Sequence, residues 1–99
     1  MNVNIQTVHF DADVKLLAYV ERKIEKLSQF HDRITNVDIY LKLDNIAHHI
    51  KDKIVEIKVR IPRHEFFVKH SCKSFEESFD EAMDAVINQI KKKKERLAA

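Results

Sequence analysis

The chain has 99 residues, which is the size of one domain with a single two-layer core. Its net charge is only +2, so any affinity for a polyanion has to come from where the cations lie and not from their sum. Because the chain contains no glycine and one cysteine, the usual glycine-rich nucleotide-binding loops and an internal disulfide are excluded.

The first part of the chain predicts a strand followed by a helix. Apolar residues at nearly alternate positions indicate a strand over about residues 2–8. Asp11 and Asp13 are suitable helix caps, and the helix that follows is expected to end near Gln29. Its apolar residues fall within an arc of about 100°, the width of a core-facing stripe. They are Leu16, Leu17, Val20, Ile24 and Leu27.

Three more strands are predicted from alternation. Residues 37–43 and 55–61 carry an apolar side chain at every second position and mostly charged ones between, so each strand has one buried and one wet face. Residues 44–52 are predicted to be a connection. The segment 62–65 is short enough for a hairpin turn, although it has no glycine. A fourth strand begins at Phe66 and places the next phenylalanine on the opposite face.

The last element is predicted to be a long helix. Ser74 is a suitable N-cap, and Glu77 stands at the reciprocal position of a capping box. One side of the helix is apolar, through Phe75, Phe79, Ala82, Met83, Val86 and Ile90.

The element order is therefore β-α-β-β-β-α within one domain, residues 1–99. A crossover through the first helix makes strands one and two parallel, and the remaining strands form an antiparallel meander. Because the strands have one wet face, both helices must cover the same side of the sheet. The prediction is an α+β fold: a four-stranded mixed sheet with two helices packed on one face.

The charge of the last helix is split along its length. Acidic residues occupy its first half, and its end, at about residues 91–99, has five cations within six residues: four consecutive lysines and Arg96. The helix dipole favours this order, but at about 0.3–1 kcal/mol per charge it accounts for only part of it. The mutual repulsion of the remaining cations would be relieved by an anionic partner.

The first helix also carries a basic stripe. Lys15, Arg22 and Lys26 lie within about 40° of each other on a helical wheel, and Lys23 lies on the neighbouring flank. An ordinary solvated helix face is the alternative interpretation. Two adjacent basic helices together predict a patch that binds RNA phosphates by charge and shape. Tyr19, beside the stripe, could stack on a base, but covering the core edge is the favoured interpretation.

Motifs for catalysis or metal binding are not recognisable in the sequence. Neither a Ser-His-Asp pattern nor a pair of carboxylates at catalytic spacing is found. His48 and His49 are adjacent and lack the i,i+4 spacing of a helical zinc pair. Cys72 is interpreted as a strand side chain. We therefore predict that the protein is not an enzyme and uses neither a metal nor a cofactor.

Several segments together resemble a known family. They are residues 20–27 followed by Phe30, residues 75–80 with Asp84 after them, and residues 89–90 before the basic tail. In these segments, and in the order and length of its elements, the whole chain resembles the short-form ribosome hibernation promoting factors. That family includes the ribosome-associated inhibitor A proteins.

The resemblance implies a fold like that of double-stranded-RNA-binding domains. It also implies binding to the small ribosomal subunit and its rRNA in the decoding channel, where the factor blocks the tRNA and mRNA sites. The basic positions of the family match this sequence at Lys23, Lys26, Lys92, Lys94 and Arg96. The charge pattern alone adds Arg22, Lys91 and Lys93 as RNA-binding candidates.

The sequence departs from the family at three positions and at its end. Ser74 replaces a common Asp, Glu76 a common Tyr and Asn88 a commonly basic residue. Long-form members pair two ribosomes through a C-terminal extension. This chain has no such extension, so we do not expect it to pair ribosomes directly, and we expect a monomer off the ribosome.

Two other functions are compatible with the sequence. One is a general structured-RNA-binding module without ribosome preference. The other is a protein-interaction domain that uses the open sheet face, where Tyr40, Lys58 and Arg60 are expected to be exposed. No stretch is apolar enough to span a bilayer, and the first residues lack a signal-peptide pattern. We therefore expect a cytoplasmic protein without a small-molecule substrate.

Overall fold

A computed structural model describes the backbone of residues 1–44 and 52–98, and the side chains of these residues as far as Lys94. Most of the predicted connection, including His48 and His49, lies outside the described residues. The elements are β1 (Asn2–Val8), α1 (Val14–Ile24), a 3₁₀ helix (Glu25–Gln29), β2 (Asn36–Leu43), β3 (Lys53–Ile61), β4 (His64–Cys72) and α2 (Phe75–Ala98).

The four strands form one sheet in the order β1-β2-β3-β4. β1 runs parallel to β2, while β2, β3 and β4 are antiparallel to their neighbours. Ile57 pairs with Ile39 on one side and with Val68 on the other, and all three side chains are buried. This register keeps the apolar positions of the strands on one face. The predicted mixed sheet is confirmed.

The helix after β1 begins and ends where the sequence predicted. Asp13 is the N-cap, and its carboxylate accepts a hydrogen bond of 2.8 Å from the Leu16 backbone N–H. Of the predicted stripe, Leu17 is half-buried and the other four side chains are buried. The last five residues, Glu25–Gln29, are a 3₁₀ helix. A 3₁₀ helix turns about 120° per residue, so a wheel drawn at 100° misplaces side chains beyond Ile24.

The turn between β3 and β4 is tighter than predicted. Ile61 pairs directly with His64, so only Pro62 and Arg63 form the loop. Proline presets φ for the first central position of a turn, and Arg63 has a φ of 67°, the left-handed region normally given to glycine. For a residue with a Cβ atom this conformation costs about 1–2 kcal/mol. The prediction of a longer turn was wrong because it did not allow arginine in this role.

The helix α2 is anchored at its start and along its whole apolar side. The Glu77 backbone N–H donates to Ser74 Oγ at 3.2 Å, which caps the helix. All six apolar residues of the predicted stripe are buried and join α1 and the sheet in one core. Phe67 faces the other side of the sheet and is 48% exposed. Both helices therefore cover one face, as predicted.

The two helices run in the same direction. Before α1 begins, Phe10 stacks on Phe75 at the start of α2, with ring centroids 4.5 Å apart. After the 3₁₀ helix, Phe30 lies under Lys91 near the end of α2, with Nζ 5.2 Å from the ring centroid. Early residues of the first helical segment thus lie beside early residues of α2, and late residues lie beside late ones. Their C-terminal ends consequently lie at the same end of the molecule.

Candidate nucleic-acid interface

The parallel helices separate charge along the molecule. The acidic first turn of α2, with Glu76 and Glu77, lies at one end, where the helix dipole stabilises negative charge. The lysines of residues 91–94 lie at the opposite end, beside the segment that follows the 3₁₀ helix. A chain with a net charge of only +2 therefore has one strongly basic end.

The end of α2 points its lysines around the helix. Ile90 is fully buried and is the last described side chain that anchors α2 in the core. Lys92 and Lys94 are exposed, and Lys93 is half-buried against neighbouring loops. Among the described residues, the core stripe of α2 therefore stops at Ile90, and Lys91, Lys92 and Lys94 project beyond it.

The first-helix candidate Lys23 makes an ion pair with α2. Its Nζ atom lies 2.8 Å from Oδ1 of Asp80 and donates to Tyr19 Oη at 2.7 Å. The Tyr19 hydroxyl in turn donates to the Asp80 carboxylate at 2.8 Å. The three side chains close a hydrogen-bonded triangle between the helices. Lys23 also lies over the Tyr19 ring, with Nζ 4.4 Å from the centroid.

The hydrogen-bonded triangle stabilises the charged forms of Lys23 and Asp80. The hydrogen bond to Asp80, reinforced by Tyr19, raises the pKa of the Lys23 ammonium above its ordinary value. Burial alone would raise the pKa of the Asp80 carboxyl, but the hydrogen bonds from Lys23 and Tyr19 outweigh burial and hold that pKa below its ordinary value. Lys23 is therefore a partnered cation whose charge is already balanced.

The groove between the helices contains acids as well as cations. Lys23 and Lys26 line it from the first helical segment, and Asp80 and Asp84 line it from α2. The basic stripe predicted on the first helix is therefore partly neutralised where it meets α2. Sequence reasoning could not foresee this because Lys23 and Asp80 are 57 residues apart.

Tyr19 covers the edge of the core. Its ring is half-buried and meets Phe79 edge-on, with centroids 6.4 Å apart and an interplanar angle of 70°. This confirms the favoured interpretation of Tyr19. Arg22, one turn along, lies with its guanidinium carbon 5.8 Å from the centroid of the same ring and remains exposed.

The eight predicted RNA-binding residues thus fall into three groups. The exposed cations are Arg22, Lys26, Lys91, Lys92 and Lys94, the half-buried ones are Lys23 and Lys93, and the Arg96 side chain lies outside the described residues. The exposed members are concentrated towards the C-terminal ends of the two helical segments.

Loop residues missed by the sequence reasoning join this basic end. His31 and Arg33 precede β2, Arg63 lies in the turn before β4, His64 is the first residue of β4, and these four line a cleft with Lys93. No local motif connects three short segments so far apart in sequence. Only the parallel helices and the hairpin bring them together.

The free thiol and its neighbours do not form an activated nucleophile. Cys72 is buried at the end of β4, and its Sγ donates to a carboxylate oxygen of Glu81 at 3.1 Å. That hydrogen bond and burial raise the pKa of the Cys72 thiol. His70 Nδ1 lies 3.4 Å from the same oxygen. A protonated thiol is a poor nucleophile, so this arrangement is structural.

Neither a metal site nor a membrane-spanning helix is found within the described part of the chain. Among those residues, no group of three or more His, Cys, Asp or Glu side chains could hold a metal ion. No helix formed by the described residues has the length and apolar character needed to cross a membrane.

Known proteins resemble this chain over nearly all of its length. The family model described as Sigma 54 modulation protein / S30EA ribosomal protein matches residues 3–98. A ribosome hibernation promoting factor of Pseudomonas putida is 28% identical over 96 residues, covering 97% of this chain and 89% of the relative. One of Acidithiobacillus ferridurans is 29% identical over 66 residues, covering 67% of this chain and 82% of the relative.

Solved structures share the fold. A ribosomal subunit interface protein from Coxiella burnetii superposes with a TM-score of 0.84 at 21% identity, covering 95% of this chain and 98% of the other. The N-terminal domain of Protein Y from Thermus thermophilus gives a TM-score of 0.77 at 21% identity, with coverage of 93% and 98%. These likenesses confirm the α+β architecture.

Proposed function

The chain belongs to the Sigma 54 modulation protein / S30EA ribosomal protein family, and on that premise we propose that it binds the decoding channel of the small ribosomal subunit. It acts there as a ribosome hibernation factor and keeps mRNA and tRNA out. Residues 1–99 act as one ribosome-binding domain, in the cytoplasm and as a monomer off the ribosome. No covalent bond is made or broken.

The observation that carries this proposal is the concentration of cations at one end of the two parallel helices. Lys91, Lys92 and Lys94 project there from α2, beyond the last described core anchor at Ile90. Cations displaced from the core can approach phosphates without disturbing the fold. Neutralising RNA phosphates releases counterions, which supplies affinity that depends on charge and shape.

The inhibition is steric. The molecule measures 46 × 25 × 19 Å, and its 24-residue α2 is about 36 Å long. A packed two-layer body of this size, held by its basic end, would exclude a nucleic-acid strand from the space it fills. The Lys23–Asp80 ion pair supports this role because it fixes the two helices relative to each other.

Cosedimentation with purified small ribosomal subunits tests the proposal. We expect the protein to pellet with small subunits at about 0.1 M salt and to be released as salt rises. Excess duplex RNA should leave the complex intact. If duplex RNA strips the protein from the subunits, the general RNA-binding module is the correct function, and if no cosedimentation occurs, the ribosomal proposal is wrong.

The rival use of the open sheet face has one observation in its favour, the exposed Phe67 ring. Two pairs of opposite charges join neighbouring strands on the same face, however. Lys42 lies 2.8 Å from Glu56, and Arg60 lies 3.2 Å from Glu65. A face of internally paired charges is typical of a solvated surface. We therefore place the ribosome contact on the helices and their basic end.

A further inference from the structure

Five side chains from three separate segments meet in one cleft at the basic end. His31 and Arg33 come from the segment before β2, Arg63 and His64 from the hairpin that joins β3 and β4, and Lys93 from α2. We call these five residues the loop-end cluster. A second cleft, lined by His64, Lys92 and Lys93 among others, continues from it along α2.

The charges of the loop-end cluster are not balanced by acids in the cleft. None of the described residues that line it is acidic. Glu65 lines a neighbouring cleft with Arg63 and His64, and there it is paired with Arg60 at 3.2 Å. This differs from the groove between the helices, where Asp80 and Asp84 face Lys23 and Lys26. An incoming phosphate would therefore meet uncompensated cations in the cleft.

Arg63 holds its position at a conformational cost. Its φ of 67° lies in the left-handed region, which glycine or asparagine would occupy more easily. Strained backbone of this kind clusters at functional sites, where the side chain is needed more than the relaxed conformation. The strained turn is an independent observation that points to use of the Arg63 guanidinium.

His31 is oriented as a donor. Its Nδ1 atom accepts the backbone N–H of Arg33 at 3.0 Å. In a neutral imidazole with an accepting Nδ1, the proton is on Nε2, which is then available to donate. The guanidinium groups of Arg33 and Arg63 and the ammonium of Lys93 add further donors. The cluster thus combines donors from three segments of the chain, and charge-assisted hydrogen bonds from such donors are the kind that bind a phosphate strongly.

We propose that the loop-end cluster binds a backbone phosphate of RNA and forms a third contact region beside the two helices. The proposal rests on the function proposed above. It differs from that function in placing a phosphate contact on the hairpin turn, outside both helices, with Arg63 as its main cation.

The variant Arg63→Gly tests the inference because it should move stability and binding in opposite directions. Glycine relieves the positive φ, so we expect thermal unfolding at the same or a slightly higher temperature. Removing one phosphate contact should weaken binding to small subunits roughly five- to tenfold at 0.1 M salt and lower the salt slope by about one.

Two matched variants separate charge from strain. His9 is an exposed residue with the same φ of 67°, and it lies outside the cluster. His9→Gly should therefore relieve strain without changing binding. Lys69 is exposed on the sheet, so Lys69→Gln removes one charge away from the cluster and should leave binding within about twofold, with an unchanged salt slope.

The possible results separate the inference from the proposed function. If the wild-type protein binds small subunits and Arg63→Gly binds them equally well, the third contact region is overturned but the proposed function is not. If the wild-type protein does not bind small subunits, both proposals fail. A loss seen with intact subunits but not with protein-free rRNA overturns the assignment to a phosphate and assigns the contact to a ribosomal protein. Weaker binding to both, at undiminished stability, supports the inference.

Discussion

The Nζ atom of Lys23 lies 2.8 Å from Oδ1 of Asp80, and this ion pair joins the last turn of α1 to the first half of α2. Both groups are partly exposed, with side-chain exposures of 30% and 46%, so solvent screens their attraction. The pair is more important for geometry than for energy. It fixes the spacing of two parallel helices whose ends carry the exposed lysines.

Replacing Asp80 with Asn should make stability less dependent on pH. The folded-state pKa of Asp80 lies below its ordinary value, so the carboxylate stabilises the fold at neutral pH and loses this effect as pH falls through the folded-state pKa. We expect Asp80→Asn to lower the free energy of unfolding by about 1 kcal/mol or less at pH 7. The difference from wild type should shrink as pH falls through the lowered folded-state pKa of Asp80, as measured by urea unfolding across the acid range.

Asp84 provides the control for this experiment. It is an exposed carboxylate one turn further along α2 that lines the same groove. Asp84→Asn changes the net charge equally but leaves the Lys23–Asp80 ion pair in place. Equal pH profiles for the two variants would show that overall charge, and not the ion pair, causes the effect.

Two phenylalanines on opposite faces of the sheet should differ in their contribution to stability. Phe79 is fully buried against the core, whereas Phe67 is 48% exposed. We expect Phe79→Ala to lower the free energy of unfolding by about 3–5 kcal/mol, because it removes buried surface and leaves a cavity. Phe67→Ala should cost about 1 kcal/mol or less. Urea denaturation measures both, and similar losses would contradict the assignment of faces.

The helices and strands were predictable because each has one buried face and one solvent-exposed face. Alternation over residues 37–43 and 55–61 identified β2 and β3, and the stripe ending at Ile90 identified the buried side of α2. Local rules failed where an uncommon conformation was adopted. They gave no reason to expect a positive φ at Arg63 or a 3₁₀ helix after Ile24.

The candidate site was less predictable than the fold. The sequence identified the lysines of α2, because their repulsion is visible in the local composition. It could not reveal that Asp80 neutralises Lys23, or that Arg33 and Arg63 approach Lys93. Those relationships are contacts between segments that are distant in sequence. They depend on the parallel direction of the two helices, which local composition does not reveal.

The Cys72 thiol should react slowly in the folded protein. It is buried and donates to Glu81, and both effects raise its pKa. The thiolate is the reactive form, so we expect a disulfide reagent to modify Cys72 at least about tenfold more slowly at pH 8 than in urea. Phe67→Cys combined with Cys72→Ser supplies an exposed thiol on the same strand. Equal rates for the two thiols in the folded state would contradict the structural role of Cys72.

The basic tail should control the salt dependence of ribosome binding. Lys92 and Lys94 are exposed beyond the core, and Arg96 follows them on the same helix. Replacing all three with Gln should abolish cosedimentation with small subunits at about 0.1 M salt. If each contacts a phosphate, the slope of log K against log salt should fall by roughly two to three. The circular dichroism spectrum and urea midpoint should stay close to wild type, because Lys92 and Lys94 are exposed and the last described core anchor of α2 is Ile90.

A triple variant on the open sheet face, with the same change in net charge as the tail variant, decides whether the sheet face or the two helices bind the ribosome. Lys42, Lys58 and Lys69 belong to three neighbouring strands, and their side chains lie on the face away from both helices. Their replacement with Gln lowers the net charge as much as the tail variant does. If the charge effect is nonspecific, binding to small subunits should weaken equally in both variants. If the partner contacts the sheet, the sheet variant should bind more weakly than the tail variant. If the ribosome contacts the two helices, the tail variant should bind more weakly than the sheet variant, because only the tail cations then release counterions on binding.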